Sequence, residues 1–483
     1  MRGHLTRRFR LWRREARPTL ALAFPIMGGM LSQMLMGLAD TIMVGRVGVV
    51  PLAACSLVNA VAHLPLVFGF GLLSAIAVLT AQAYGARRPD DAAQVLRHGL
   101  LMSVLMGLAA ALSLIGVRPW LAVLRQPPEV VEAADTYLIL FAASMFPALV
   151  AHGMKQFSEA LKHPWAPTVV LLGGVGLNVL LNWVLIYGHW GAPAMGLDGA
   201  GWATLLARSG MALAMLGYVL VAAPLRACRP ARWSGRLEWQ RLRGLLALGV
   251  PVALQHLLEV SAFVFAALMM GWIGSEAIAA HQIAMTCAAT TFMFPLGIGM
   301  AVCIRVGHAY GAAQFSRMRR IGFGGVGMAA AIMAVSGVLF MTAGRPIAGL
   351  FITAPEVLNL AAQLLIVAAI FQIADGVQVV AISALRGLND VRHPAAIAGL
   401  AYWVLALPVG SLLAFRFGLG AMGIWIGLAA GLGVAAAGLS WRFHAKTGWA
   451  ACHWVRMTNK CSPSADQDGT LAPLLPEKPG TQA

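Results

Sequence analysis

The first half of the chain contains the stretch GLLSAIAVLTAQAYGA at residues 71–86, and the second half contains GIGMAVCIRVGHAYGA at residues 297–312. The two stretches align without a gap at an offset of 226 residues, and both end in Ala-Tyr-Gly-Ala. The same offset places Pro25 on Pro251, so one register holds over about sixty residues. Self-similarity at a fixed offset indicates that a structural unit has been duplicated. The sequence therefore predicts two halves with the same fold.

Both halves are strongly apolar. Of the 483 residues, 59% are hydrophobic and 11% are charged, whereas soluble domains carry about 25% charged residues. So few charges would not cover a soluble globule, and six scattered cysteines do not form a disulfide framework. A helix that crosses a bilayer needs about 20 apolar residues. The apolar runs predict twelve such helices, at 18–44, 52–81, 98–118, 136–155, 165–187, 197–222, 244–270, 278–304, 321–342, 357–383, 394–416 and 418–443.

The number of helices in each half sets the symmetry. Six spans return the chain to the side on which it began, so the halves are parallel repeats related by an axis along the membrane normal. The sequence predicts an all-α membrane protein with two pseudo-symmetric six-helix bundles around a central cavity. This arrangement suits an alternating-access carrier, although a channel can also be built from repeats. The predicted order is a basic cytoplasmic tail (1–17), an N-lobe (18–222), an Arg-rich cytoplasmic linker (223–243), a C-lobe (244–446) and a disordered polar cytoplasmic tail (447–483).

The basic residues are distributed unevenly across the predicted membrane. The chain has 35 basic and 18 acidic residues, a net charge of +17, and 29 of the basic residues fall on one side, Lys155 and Lys162 among them. The positive-inside rule then places both termini in the cytoplasm, and the excess charge reflects topology rather than nucleic-acid binding. Arg208 is the only base predicted near mid-membrane. It either pairs with an acid such as Asp40 or lies nearer a helix end than the predicted spans imply.

Three acidic residues are predicted inside spans: Asp40, Glu259 and Asp375. A charged side chain at the centre of a bilayer costs about 2.5–3.5 kcal/mol on insertion scales, so such residues are usually functional. The alternative is a structural carboxylate bonded to a neighbouring helix. Three acids without a buried lysine favour a bound metal cation over a proton, although burial can also keep a carboxylate protonated near neutrality.

Amide side chains accompany these acids at helical spacing. Gln255 lies four residues before Glu259, Gln378 lies three after Asp375, and the repeat register places Gln33 on Glu259. Carboxylate and amide oxygens suit Na⁺ or a proton, whereas a transition metal would need clustered His and Cys. We find no catalytic constellation, which argues against an enzyme. The sequence indicates no cofactor beyond a transported ion, no nucleic-acid partner and no obligate protein partner.

Three motifs resemble those of the multidrug and toxic compound extrusion (MATE) family. They are LADTIMVG at 38–45, AAHQ at 279–282, and DGVQ at 375–378, the last followed by ALRGLND. The resemblance extends over about residues 18–446 and is greatest to the NorM-like branch. It implies a twelve-helix transporter rather than an enzyme.

The resemblance also implies roles for particular residues. Asp40, Glu259 and Asp375 match the family's cation-binding acids, and Glu259 and Asp375 would be Na⁺ ligands in a sodium-coupled protein. Phe371 stands where some relatives carry a tyrosine that helps to hold a cation, so a hydroxyl is missing but the ring face remains available. The supporting polar or cavity residues are Gln33, Asn178, Asn182, Gln255, Gln282, Phe371 and Gln378.

The function implied by the resemblance is export of organic, often cationic, compounds across the inner cell membrane in exchange for inward Na⁺ or H⁺. The expected partners are therefore small-molecule drugs and the lipid bilayer. The alternative is a lipid-linked saccharide flippase of the same superfamily, which would need basic residues in the central cavity for a pyrophosphate. The coupling ion, its stoichiometry, the substrate range and the role of Arg208 stay open at this point.

Overall fold

The computed structural model describes residues 2–124, 127–233 and 235–460, with the backbone alone described for 2–13, 122–124 and 449–460. These residues form helices and no strands, and twelve of the helices are long and apolar enough to cross a membrane. A helix satisfies its backbone hydrogen bonds internally, which hydrocarbon requires. The helices are α1 (Arg2–Gly45), α2 (Val49–Gly85), α3 (Pro89–Val117), α4 (Pro128–Ala160), α5 (Trp165–Tyr187), α6 (Gly196–Val221), α7 (Trp239–Ile273), α8 (Ser275–Gly311), α9 (Phe315–Gly349), α10 (Pro355–Gly387), α11 (Arg392–Arg416) and α12 (Gly420–Lys460).

The predicted all-α fold with twelve spans is confirmed, and its bounds shift at the two ends of the chain. α1 already begins at Arg2, so residues 2–17 of the predicted basic tail form the first turns of that helix. α12 continues to Lys460, past the predicted boundary at 446. The remainder of the predicted polar tail, 461–483, lies outside the described residues.

The geometry of the two halves repeats the sequence register. α2 and α8 each contain 37 residues, and both of their ends differ by 226 positions. The turns that follow also correspond, because Arg87 and Ala313 both have left-handed φ angles, as do Lys162 and Asn389. Equivalent residues at non-glycine positions of positive φ are uncommon by chance. The duplicated unit inferred from sequence is therefore present in the fold.

Each half has its own apolar core, but the N-terminal part of the first helix of each half packs into the core of the other half. Ala16 and Ile26 of α1 are buried in the core of the second half, whereas Leu245 and Ala253 of α7 are buried in the core of the first. These pairs occupy equivalent stretches of the repeat. This arrangement holds the two bundles together by close packing of apolar side chains.

The repeated Ala-Tyr-Gly-Ala motif marks the place where α2 and α8 meet. A Cβ atom at Gly85 would lie 2.2 Å from the carbonyl oxygen of His308, and one at Gly311 would lie 2.0 Å from the carbonyl oxygen of Gln82. Contacts this short are impossible for any side chain. The motif therefore uses glycine so that two helix backbones can touch, as small residues do in membrane proteins.

Polar contacts join the two halves near this crossing. The guanidinium of Arg305 on α8 contacts the carboxylate of Glu15 on α1, and Arg241 Nη1 on α7 lies 3.1 Å from Asp91 Oδ1 on α3. We call the end of the bundle at which Glu15, Gly85, Asp91 and Arg305 lie the basic end. It is the end that the sequence predicts to face the cytoplasm.

α11 departs from regular helix. Two π-helical segments, Ala401–Ala406 and Leu412–Arg416, flank a short α-helical stretch that contains Pro408. Proline lacks the N–H group that an α-helical hydrogen bond requires, and π-turns frequently occur where a helix carries a functional side chain. The first segment positions Tyr402, which faces the C-half site described below.

Candidate cation and substrate sites

In the first half, Asp40 of α1 is 6% exposed and is held by neutral donors from two other helices. Asn182 Nδ2 on α5 donates to Asp40 Oδ1 across 2.6 Å, and the hydroxyl of Thr204 on α6 donates to Oδ2 across 3.3 Å. Asn182 also donates to Asn178 Oδ1 at 3.2 Å. Among the described residues, no base lies within ion-pair distance of this carboxylate.

Asp40 lines a cavity of about 200 Å³ together with Gln33, as the repeat register predicts, and with Met36, Met211 and Arg208. Beside Asp40, the buried atom Asn182 Oδ1 has no hydrogen-bond partner among the described residues. Buried polar atoms are nearly always satisfied in native proteins, so an unpaired amide oxygen next to this carboxylate is a site where a ligand or water can bind. We call this cavity the N-half pocket.

Arg208 lies in the middle of α6, inside the membrane span, which excludes the alternative that it lies near a helix end. It does not form an ion pair with Asp40. Its Nη1 donates to the hydroxyl of Ser144 across 2.8 Å, and its guanidinium lies 4.6 Å from the ring centroid of Phe141. A guanidinium held by a hydroxyl and an aromatic face keeps its charge available to the pocket. Ser144 and Phe141 were not identified from the sequence.

α4 carries a buried ion pair that contradicts one sequence prediction. Lys155 Nζ lies 3.1 Å from Glu159 Oε1, and the residues are 5% and 0% exposed. Lys155 was predicted as the last residue of a span, on the basic side, and no buried lysine was expected; the second expectation is wrong because α4 continues to Ala160 and both residues are buried. Glu159 is likewise a fourth acid inside a span. Opposite charges four residues apart, directly after an apolar run, were the available signal.

In the second half, Glu259 of α7 is the centre of an amide cluster. Gln255 Nε2, one turn earlier, and Gln378 Nε2 on α10 each donate to Glu259 Oε1 across 3.1 Å. The hydroxyl of Tyr402 on α11 donates to Gln378 Oε1 across 3.2 Å. The helical spacing of Gln255 pointed to its contact with Glu259, whereas the spacing of Gln378 pointed to Asp375, and the structure instead places its amide on Glu259. Tyr402 was missed because it enters from a third helix, whose position the sequence pattern does not reveal.

Asp375 lies near Glu259, and the two carboxylates repel each other when both are charged. Within the described part of the chain, no side chain donates a hydrogen bond to Asp375 and no base pairs with it. Three residues earlier on α10, the buried amide of Gln372 has no partner at either atom. Arg386, further along α10, acts electrostatically on Glu259, and its Nη2 lies 3.3 Å from His256 Nε2.

Two residues implied by the family resemblance are not brought into contact with these acids. Phe371 is 2% exposed and forms T-shaped contacts with the rings of Phe263 and Trp425, so the open ring face that was expected is buried in this structure. A residue in the aromatic core of the second half cannot also line an open site. Gln282 is exposed, and its backbone carbonyl accepts a hydrogen bond from the hydroxyl of Thr286.

The two sites have the same chemistry. Each contains a carboxylate surrounded by neutral amide and hydroxyl groups, which offer hard oxygen ligands to Na⁺ or a proton. Among the described residues, no group of three His, Cys, Asp or Glu side chains could hold a transition metal. Two repeats of six spanning helices, each with such a site, define a membrane protein of the secondary-transporter class.

Comparison with known proteins identifies the family. Residues 25–184 and 251–412 match the MatE family model, and the two matched segments begin 226 residues apart. The chain therefore belongs to the MatE family, a family of transporters rather than enzymes.

Its relatives cover nearly its whole length. The probable multidrug resistance protein NorM of Bradyrhizobium diazoefficiens is 38% identical over 88% of this chain and 92% of that protein. The multidrug resistance protein NorM of Burkholderia vietnamiensis is 36% identical over 90% and 95%.

Solved structures share the fold. A crystal structure of MATE in the bent conformation superposes with a TM-score of 0.85 at 21% identity, covering 92% of this chain and 98% of that one. A mutant of the Vibrio cholerae MATE transporter VcmN gives a TM-score of 0.82 at 22% identity, covering 90% and 97%. The agreement extends across both halves.

Proposed function

We propose that this protein exports organic, often cationic, compounds across the inner cell membrane in exchange for inward Na⁺ or H⁺. Both termini then face the cytoplasm, as the distribution of basic residues predicts. The relatives named multidrug resistance protein support a broad substrate range. The observation that carries the proposal is a carboxylate in each half without a base in ion-pair contact, Asp40 in one and Glu259 with Asp375 in the other.

These acids have the properties that coupling requires. A buried carboxylate that is permanently paired with a base has no reason to bind another cation, whereas one held by neutral amides needs an exchangeable positive partner. Glu259 and Asp375 repel each other, so binding of one ion between them relieves the repulsion. In this mechanism, ion binding at Glu259 and Asp375 reorganises the cavity and releases the drug outward. The ion and the drug therefore occupy the protein in turn.

Electrostatics limits the stoichiometry. Moving one charge through 100 mV is worth about 2.3 kcal/mol. Exchange of one inward Na⁺ for one outward monovalent cation cancels this contribution. Export of such a drug then depends on the chemical gradient of the ion or on more than one ion per cycle.

The deciding experiment is efflux of a fluorescent cation from proteoliposomes under separately imposed Na⁺ and pH gradients. Efflux driven by one gradient identifies the coupling ion, and ion flux without drug identifies a channel instead. Asp375→Asn should abolish efflux, and drug resistance in cells, at unchanged membrane expression. Retained resistance would contradict the assignment.

The flippase alternative rests on the bases of the N-half pocket. Arg208 and Lys155 both line it, as recognition of a pyrophosphate would require. However, Lys155 is neutralised by Glu159, which leaves Arg208 alone against Asp40. Translocation of a lipid-linked saccharide by the same proteoliposomes, without drug efflux, would favour this alternative.

A further inference from the structure

A larger cavity, of about 950 Å³, lies at the basic end between the two halves. The first half lines it with α1, α5 and the turns that follow α2 and α4, and the second half lines it with the ends of α8 and α9. None of its side chains takes part in the proposed ion and drug sites. Its purpose therefore requires a separate explanation.

The cavity is lined by more cations than there are acids to pair with them. Arg305 and Arg317 share the single carboxylate of Glu15, with Arg317 Nε 3.3 Å from Glu15 Oε1. Among the described residues, Arg87 and Lys162 have no acid within ion-pair distance. Partial burial and the guanidinium groups of Arg317 and Arg305 lower the pKa of Lys162, a strain that a bound anion would relieve. Arg88, at the rim, lies 4.0 Å from Asp91.

The internal repeat shows that this charge is not imposed by the fold. At the equivalent corner, Gln82 and Asn389 exchange hydrogen bonds of 3.0 and 2.9 Å and so join the two halves. The residues that correspond to them are His308 and Lys162. His308 bonds the carbonyl oxygen of Ala160 at 2.7 Å, whereas Lys162 Nζ lies 5.3 Å from the ring centroid of Tyr84, and both Lys162 and Tyr84 line the cavity. Neutral amides therefore join the halves at the corner of Gln82 and Asn389, whereas a cavity lined by cations lies at the corner of His308 and Lys162.

One edge of the cavity, at Trp165, is apolar. Trp165 lines the cavity and is 58% exposed, and its ring centroid lies 6.3 Å from that of Phe24, which is 66% exposed. Exposed aromatic side chains on spanning helices lie against lipid, and Trp in particular is enriched at the level of the head groups. A molecule that fits this cavity is anionic at one end and apolar at the other.

We propose that the cavity binds the phosphate head group of an anionic membrane lipid, held by Arg87 and Lys162 from the first half and Arg317 from the second. Basic pockets between helices on the cytoplasmic side are suited to such head groups. Because the phosphate contacts both halves, the lipid holds them together at the basic end. The site is distinct from the proposed transport function and does not depend on it.

The test uses the purified full-length protein in neutral detergent, titrated with the soluble short-chain lipid dioctanoyl phosphatidylglycerol. The variant is Arg87→Ala with Lys162→Asn, which introduces the residues found at the equivalent positions of the second half. Ala313 and Asn389 already adopt the same left-handed φ in this fold, so the variant is expected to fold normally. Loss of two charges should weaken lipid binding by about 10- to 30-fold.

The controls separate the possible anions. Arg243→Gln with Arg320→Gln removes two exposed charges outside the cavity and should bind the lipid as wild type does. Dioctanoyl phosphatidylcholine and inorganic phosphate should bind at least tenfold more weakly than phosphatidylglycerol. Equal lipid affinity of the cavity variant and wild type would overturn the proposal. Inorganic phosphate that binds as tightly as the lipid would overturn the lipid assignment in favour of a soluble anion.

Discussion

The side-chain amide of Gln378 on α10 donates to Glu259 Oε1 on α7 across 3.1 Å, and its oxygen accepts the hydroxyl of Tyr402 on α11. One glutamine therefore connects three helices of the second half at the carboxylate. Because of this position, binding or release of an ion at Glu259 would change the contacts of α10 and α11. This is the contact through which ion binding would reorganise the second half.

Gln378→Leu should weaken ion coupling. The substitution removes one of the two amide donors of Glu259 and leaves the Tyr402 hydroxyl without its acceptor. One lost hydrogen bond corresponds to about 0.5–1.5 kcal/mol, so the ion concentration for half-maximal efflux should change by about 2- to 13-fold. Proteoliposome efflux at graded ion concentrations measures this.

A matched control lies six residues earlier on the same helix. Gln372 is 1% exposed, and neither atom of its amide has a partner. Gln372→Leu removes unsatisfied polar atoms, so it should leave coupling unchanged and maintain or raise stability. If Gln372→Leu impaired coupling as much as Gln378→Leu does, the effect would not come from the bond to Glu259.

The buried pair of Lys155 and Glu159 predicts a strongly non-additive double mutant. Lys155→Met leaves an uncompensated carboxylate in a site that is fully buried, at a cost of about 3–5 kcal/mol in the free energy of unfolding. Lys155→Met with Glu159→Leu removes both charges and should be nearly as stable as wild type. Thermal unfolding in detergent of the two single variants and the double variant completes the double-mutant cycle. Additive losses would show that the pair is not coupled.

Because the backbones of α2 and α8 touch at their crossing, we expect a single methyl group added there to destabilise the protein. Gly85→Ala or Gly311→Ala would bring a Cβ within about 2 Å of a backbone oxygen, so the helices must separate. We expect a loss of about 1–3 kcal/mol in stability. Gly116→Ala is the control, because no atom lies within 4 Å of a Cβ there. Unfolding temperatures that do not distinguish the three variants would contradict the observed backbone contact.

Replacement of Arg208 should change the substrate preference. Among the described residues that line the N-half pocket, Asp40 is the only acid. Lys155 is neutralised by Glu159, so Arg208 is the base whose charge opposes that of Asp40. Arg208→Gln makes the pocket more negative, so a monovalent cationic dye should bind about tenfold more tightly, whereas a neutral compound should not. Arg208→Lys keeps the charge and should resemble wild type. Equal binding of the dye to all three proteins would exclude a role for this charge.

Periodicity and repetition predicted most of the architecture, because both are properties of the sequence itself. Twelve spans, the duplicated halves and the location of Asp40 in a pocket with Gln33 follow from apolar run length and register. Contacts between helices that are distant in the chain were not accessible in this way. Thr204 and Tyr402 reach the two carboxylates from α6 and α11, and no local pattern marks either residue.

The wrong predictions have a common physical cause. The end of α4 was set where charged residues appear, but an ion pair at i and i+4 allows Lys155 and Glu159 to remain inside the helix. Phe371 was assigned an open ring face from resemblance alone. Its neighbours Phe263 and Trp425, which enclose it, come from other helices and decide its exposure.

The central claim is that a coupling ion at the carboxylates and a drug exclude each other. The direct measurement is the dissociation constant of a fluorescent cation for the purified protein as a function of Na⁺ concentration and of pH, in wild type and in Asp375→Asn. The account predicts that the coupling ion weakens drug binding in wild type and that the drug weakens ion binding by the same factor, as linkage requires. In Asp375→Asn this dependence should be lost. Drug affinity in wild type that is independent of both ions would contradict the account.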